Sequence, residues 1–250
     1  MHQVDAHCQS KCTETVWSSY FDSTAECLLA NQSWQLKLVA VSEVKDFFCP
    51  TNTPRGATNV TNREVNLEME KEIAELCAEV RYLKDRQDIL DVIIRESRGR
   101  DRHDTELIAS CYWPEGADEH GPVPFSATDY PEIANEGHLA AFSMNQHNLA
   151  NHSCEIDGDT AYCETYVVGT MLSHDEKVCT IAAGRYMDQL EKRNNEWRIL
   201  WRRSTVETAM EGDASWLHRP PVKGFLRGTR DRKDLSYHRP YVIGGPGARW

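Results

Sequence analysis

From Glu64 onward apolar residues recur mostly at threes and fours. Leu67, Ile73, Leu76, Val80, Leu83, Ile89, Val92 and Ile93 stand among Glu, Lys, Arg and Asp, the period of an amphipathic helix with one apolar stripe. The spacing predicts a helix reaching Arg98-Gly99, broken near Lys84-Asp85. Gly99 reads as its stop, and Asp104 as the cap of a second helix carrying Leu107, Ile108 and Cys111. Trp113-Pro114-Glu115-Gly116 closes that helix. A short strand over 117–121, a Pro- and Thr-rich loop and a third helix over 133–144 follow. Beyond Gln146 the pattern changes to partly alternating runs holding Val167, Val168, Val178 and Ile181, separated by Asp157-Gly158-Asp159, Ser173-His174-Asp175-Glu176 and Asn194-Asn195. These are hairpin turns between strands predicted at 148–156, 160–172, 178–191 and 196–208. Strands longer than the usual 5–6 residues imply a strongly twisted, bent sheet.

The resulting fold class is α+β: a cone-shaped α+β barrel with a strongly bent, mostly antiparallel sheet and N-terminal helices packed on its concave face. Residues 1–62 show neither period and end in a Pro-, Asn- and Thr-rich stretch over 49–59, the composition of a linker. They are expected to be a poorly ordered or loosely docked extension, with Trp17, Tyr20, Phe21, Trp34, Phe47 and Phe48 to dock by; the alternative is an upstream extension of a start at Met69. The cone is assigned to 63–210. Residues 211–250, with Pro220-Pro221, Pro240 and Gly244-Gly245-Pro246-Gly247, read as an extended tail wrapping this domain or a neighbouring subunit.

Charge and composition narrow the functional classes. The 250 residues carry 28 Lys and Arg against 39 Asp and Glu, a net charge of −11, which opposes phosphate backbones and excludes nucleic acid as a default partner. No run approaches the ~18 apolar residues of a membrane span. The first residues lack the apolar stretch of a secretory signal. Nine cysteines, an odd number spread along the chain, suit reduced thiols in a cytoplasm better than a disulfide framework. The sequons at Asn31, Asn59 and Asn151 are then chance matches. His7, Cys8 and Cys12 lack a second Cys/His pair at zinc-finger spacing, so no metal is assigned. The only glycine cluster lies at 244–247 with no helix to follow, so no nucleotide cradle and no cofactor is expected.

Asp85-Arg86-Gln87-Asp88-Ile89, Arg100-Asp101-Arg102-His103-Asp104, Asp118-Glu119-His120-Gly121, His147-Asn148, and the run from Gly184-Arg185-Tyr186-Met187-Asp188 through Glu196-Trp197-Arg198-Ile199 together resemble a SnoaL-like domain of the nuclear transport factor 2-like superfamily over roughly 80–210. The resemblance implies a cone whose pocket hosts cofactor-free chemistry. Its members include scytalone dehydratase, hexachlorocyclohexane dehydrochlorinase, ketosteroid isomerase, limonene epoxide hydrolase, polyketide cyclases and proteins without catalysis, so fold alone does not name the reaction. In the dehydratase and dehydrochlorinase branch an Asp after the first helix pairs with a His opening the β-meander; Asp101 and His147 match these by position.

The chemistry of elimination supports that pairing. Neutral imidazole is a suitable base near pH 7, and a carboxylate on its other nitrogen fixes the tautomer. The expected function is therefore a cofactor-independent dehydratase-type lyase on a small, possibly cyclic or polyketide-like molecule, with His147 as base and Asp101 as its orienting partner, both lining one cavity. An isomerase or cyclase on the same fold, or a non-catalytic binding or assembly module, is the alternative. Tyr112, Trp113, His120, Tyr166 and Arg185 are candidate substrate contacts. Tyr130 and Tyr186 are further tyrosines of the kind that hold a carbonyl oxygen, and some of Arg198, Arg202 and Arg203 are expected to face solvent. His152 lies five residues beyond His147, an odd spacing that predicts opposite faces of one strand. A homodimer or homotrimer is expected, with Trp197, Ile199 and Trp201 as contact or core residues.

Overall fold

The computed structural model describes residues 62–250, within the compact unit Val60–Trp250. Apart from Asn62, the expectation for residues 1–62 lies outside the described residues. The apolar stripe beginning at Glu64 falls on one continuous helix, α1 (Asn62–Asp101), without a break at Lys84-Asp85. At ~1.5 Å per residue it is about 60 Å long. Its two halves differ in burial. Ile89, Val92 and Ile93 are buried in the core, whereas Met69, Ile73, Leu76, Val80 and Leu83 stand exposed. Gly99 does not stop the helix. A Cβ there would lie 2.6 Å from Ile108 Cγ1 and 3.1 Å from Ile108 N, so the glycine admits the close approach of α2 (Thr105–Ser110). Asp104 caps α2 as the sequence indicates, its carboxylate accepting from Leu107 N at 3.2 Å.

Six strands follow: β1 (Tyr112–Glu119), β2 (Pro124–Ser126), β3 (Met144–Asp157), β4 (Thr160–Leu172), β5 (Val178–Arg193) and β6 (Glu196–Asp213), with α3 (Tyr130–Ala141) between β2 and β3. The order is β2-β1-β6-β5-β4-β3. Only β1 and β6 pair in parallel; the other pairs are antiparallel. The sheet is thus mixed and open, with β2 and β3 as its edges, rather than closed into a barrel. Positive φ at Gly158, Glu176, Asn194 and Asn195 marks the three hairpin turns read from the sequence.

One face of the sheet is covered by α1, α2 and α3, and there Ile108, Cys111, Tyr112, Tyr130, Ala161, Leu190, Trp197 and Ile199 close the core around Ile89, Val92 and Ile93. Trp197 Nε1 donates to Asp85 at 2.9 Å, and Lys192 pairs with the same carboxylate at 2.7 Å. Trp197 and Ile199 are therefore core, while Trp201 is exposed on the opposite face. Bulges bend the sheet between Leu149 and His152, Ala183 and Gly184, and Gln189 and Leu190. The C-terminal segment lies on this same unit: Arg232 and Tyr237 bond Asp104, Arg98 reaches Ser236 and Tyr237, and Arg227 pairs with Glu176. No described helix is long and apolar enough to cross a membrane.

Candidate active site

Asp101 is the last residue of α1, and His147 lies near the start of β3, the edge strand beside it. His147 Nδ1 lies 2.6 Å from Asp101 Oδ1, and the His147 backbone N–H donates to both carboxylate oxygens at 3.0 Å. Asn145, two residues earlier on the same face of β3, donates to Asp101 Oδ1 at 3.3 Å and to the Arg100 carbonyl at 3.2 Å. The carboxylate thus accepts from three groups of one strand, which fixes its orientation. With Nδ1 occupied by Asp101, the ring presents Nε2, which makes no hydrogen bond to any described residue.

Burial governs the protonation of both partners. It pushes the Asp101 carboxyl up to about 7, against the His147 backbone bond and the positive charge of Arg100 and Arg102. It pushes His147 well below its usual range, with Arg100 acting in the same direction. The His138 ring, its centroid 5.4 Å from that of His147, is driven down to about 3, first by burial and then by Arg100. Three histidines, His138, His147 and His103, therefore favour the neutral state at this end of the fold.

Beside the dyad lies a polar interior. Arg100 is fully buried; its Nε is 2.9 Å from Glu96 Oε1 and its Nη2 donates to Tyr186 Oη at 2.6 Å. Arg202 is 1% exposed, bonds Asp188 through two nitrogens at 2.6 and 2.9 Å, and reaches Glu96. Its guanidinium lies 4.3 Å from the Tyr186 ring centroid. Arg100 Nη1 is buried and has no hydrogen-bond partner. Burial holds the hydroxyls of Tyr130 and Tyr186 protonated by raising their pKa values.

The other candidate contacts divide. Tyr112 is buried and donates to Asp118 Oδ2 at 2.6 Å, with its ring edge-on to Tyr130. His120 Nδ1 lies 3.3 Å from Tyr130 Oη and 3.0 Å from Ser204 Oγ. Both belong to the polar interior without touching Asp101 or His147. Trp113 does not: its Nε1 donates to the Glu191 carbonyl, and the guanidinium groups of Arg193 and Arg198 cover its ring. Tyr166 and Arg185 are register partners on the uncovered face, where Arg185 is paired with Glu164 and Glu207. Alternation along β4 and β5 gives the reason, since Thr165, Val167, Gly184 and Tyr186 take the covered positions.

His152 also departs from expectation. The bulge sets two residues of β3, Ala150 and Asn151, against the single Tyr166 of β4, so the odd spacing brings His152 to the same face as His147. Of Arg198, Arg202 and Arg203, some of which the sequence places towards solvent, Arg203 is exposed and Arg202 is buried. From the sequence, His138 reads only as one of several further imidazoles and Arg100 only as part of the motif around Asp101, while Glu96 and Asn145 carry no assigned role. The sequence signal was present only for Asn145, which precedes His147 at the two-residue period of a strand face. A groove lined by Asp88, Asp91, Val92, Arg95 and Trp197 lies elsewhere on α1 and includes neither member of the dyad.

A family model described as a SnoaL-like domain matches residues 81–203. Comparison with curated proteins found no match. Among solved structures, a hexachlorocyclohexane dehydrochlorinase is 16% identical over 54% of this chain and 93% of its own, with a TM-score of 0.50. A candidate scytalone dehydratase of Novosphingobium aromaticivorans DSM 12444 is 18% identical over 52% of this chain and 88% of its own, with a TM-score of 0.48. A protein of Mycobacterium tuberculosis is 23% identical over 52% and 75%, with a TM-score of 0.46. At these identities the likeness is one of fold.

Proposed function

Residues 81–203 being a SnoaL-like domain, we propose that this chain is a dehydratase-type lyase acting on a small molecule whose departing hydroxyl lies β to an activating carbonyl. The observation that carries the reading is the 2.6 Å contact of His147 Nδ1 with Asp101, which leaves Nε2 as the free base. Neutral His147 takes the proton from the carbon next to the carbonyl. The C–H electron pair forms the double bond, and the carbon–oxygen bond breaks. The departing hydroxide recovers that proton from the imidazolium and leaves as water. Asp101 stabilises the imidazolium in between, as the Asp of a Ser-His-Asp triad does. The protonated hydroxyls of Tyr130 and Tyr186 and the unpartnered Nη1 of Arg100 supply donors for charge developing on the carbonyl oxygen.

The reading carries a reducing, cytoplasmic setting, in keeping with the free thiols of Cys77, Cys111, Cys154, Cys163 and Cys179. It also carries a homodimer or homotrimer.

The experiment is a panel of β-hydroxy ketones followed by absorbance of the conjugated product, with deuterium uptake from D2O at the carbon acid read in parallel. Replacing the base in His147→Ala is expected to lower kcat by ~10²–10⁴-fold. Full turnover in that variant sinks the assignment of His147. Deuterium uptake without elimination in the wild type redirects the reading to an isomerase.

A further inference from the structure

Past the β3 bulge, His152 and Cys154 occupy alternate positions on the covered face, and Cys163 of β4 stands opposite Cys154 in the register. Each of the three offers one ligand atom, and these atoms lie within 4.8 Å of one another. Both thiols are buried and neither is in a disulfide. His152 Nδ1 lies 2.8 Å from Thr165 Oγ1, while its Nε2 is buried with no hydrogen-bond partner. Thr165 is itself fully buried.

We propose that His152, Cys154 and Cys163 bind one divalent cation of the zinc class per chain, through two thiolates and one imidazole nitrogen, with a fourth position left to water or an exchangeable ligand. Two thiolates and an imidazole form a set that selects zinc-like ions over magnesium and calcium, which prefer oxygen. The spacing is close to what such an ion needs. Ligands of a tetrahedral zinc, with Zn–S ~2.3 Å and Zn–N ~2.0–2.1 Å, stand about 3.4–3.8 Å apart. Side-chain rotation of about 1 Å therefore closes the present cluster around an ion.

The surroundings favour the same reading. An Nδ1–H donated to Thr165 leaves the Nε2 lone pair free, the arrangement in which a ligating histidine is oriented by its non-ligating nitrogen. Arg86 Nη1 donates to the Cys154 carbonyl rather than to a sulfur, and Asp188, the register partner of Cys163 on β5, is occupied by Arg202. The thiols thus remain available and no carboxylate completes the set. Binding releases the two thiol protons, and the two thiolates balance the charge of the ion. A buried cysteine pair on its own reads as small apolar packing. An unpartnered imidazole nitrogen buried beside it does not.

Titration of the reduced, desalted full-length chain with Co²⁺ tests the proposal. The expected result is a thiolate-to-cobalt charge-transfer band that saturates at one equivalent and disappears on adding Zn²⁺. The band should vanish in Cys154→Ser and Cys163→Ser and persist in Cys179→Ser and in the double variant Cys8→Ser/Cys12→Ser. Thr165→Val should weaken cobalt binding ~10–100-fold without shifting the band. No band in the wild type, a band indifferent to Cys154 and Cys163, or a band lost with Cys8 and Cys12 overturns the site. Should a serine variant fail to fold, alkylation of the wild type with and without Zn²⁺, read by peptide mass spectrometry, decides instead. Selective protection of Cys154 and Cys163 supports the site, and equal alkylation refutes it.

Discussion

On the proposed reading of His147 as a base, one buried proton on Asp101 controls it. Once the carboxyl is protonated it donates to His147 Nδ1, the remaining ring proton moves to Nε2, and the free lone pair is lost. With the Asp101 pKa at about 7, turnover is expected to rise with pH through that value, and Asp101→Asn, whose amide also donates to Nδ1, should be inactive at every pH. A pH–rate profile checks both. Stability follows another residue. Between roughly pH 4 and 6.5 a native protonated Asp101 and an unfolded protonated His147 balance in proton count, so the dyad contributes little slope. His138, held neutral down to about 3, gains its proton earlier on unfolding, and its contribution is present above the usual histidine pKa and lost as pH falls through 6.5 toward 3. Thermal melting is expected to fall with pH in that window, and to fall less in His138→Asn. The buried Glu96 serves two arginines. Removing its charge in Glu96→Gln should cost ~3–5 kcal/mol in urea denaturation, because it leaves buried guanidinium charge uncompensated. None of this network was legible in the sequence, since Glu96 and Arg202 meet across 106 positions and a charged residue alone does not reveal its partner.

Among the elements, β4 was legible to the residue because strong turn signals bound it at both ends. The start of β3 was not, because its inward-facing residues Asn145 and His147 are polar, nor was the end of β6, where exposed residues continue the pairing. Gly99 misled for a physical reason: a glycine admits a neighbour's close approach as readily as it ends a helix. The β3 bulge was invisible, and it reversed the predicted facing of His152. Two glycines separate these roles by experiment. A Cβ at Gly184 would lie 1.8 Å from the Thr205 carbonyl oxygen, beside a bulge, whereas Gly137 in α3 has open space around it. Gly184→Ala is expected to destabilise by ~1–3 kcal/mol, as overpacking does. Gly137→Ala should stabilise by ~0.5–1 kcal/mol, the helix penalty of glycine. Equal effects in chemical denaturation would contradict this account of the bend.

At the scale of the molecule, the uncovered sheet face exposes Tyr162, Tyr166, Trp201 and Met210. Apolar surface gathered on one face is characteristic of association sites. Light scattering at low micromolar concentration is expected to give a mass two or three times 28.6 kDa, reduced by Trp201→Glu; a monomer would refute the assembly. The C-terminal segment is held differently. Of its apolar side chains Val222 is buried, while Phe225, Leu226, Val242 and Ile243 are exposed. Its attachment near the dyad runs through Arg102–Asp234, Arg227–Glu176 and Arg232–Asp104, whose arginines are partly solvated. Attraction between such groups is screened over ~8–10 Å at about 0.1–0.15 M salt. Breathing of this segment should therefore follow ionic strength while the sheet beneath, closed by apolar contact, does not. In rising KCl a protease should clip residues 223–243 well before it reaches the strands, opening the end of the fold where Arg230 lies against the His138 carbonyl.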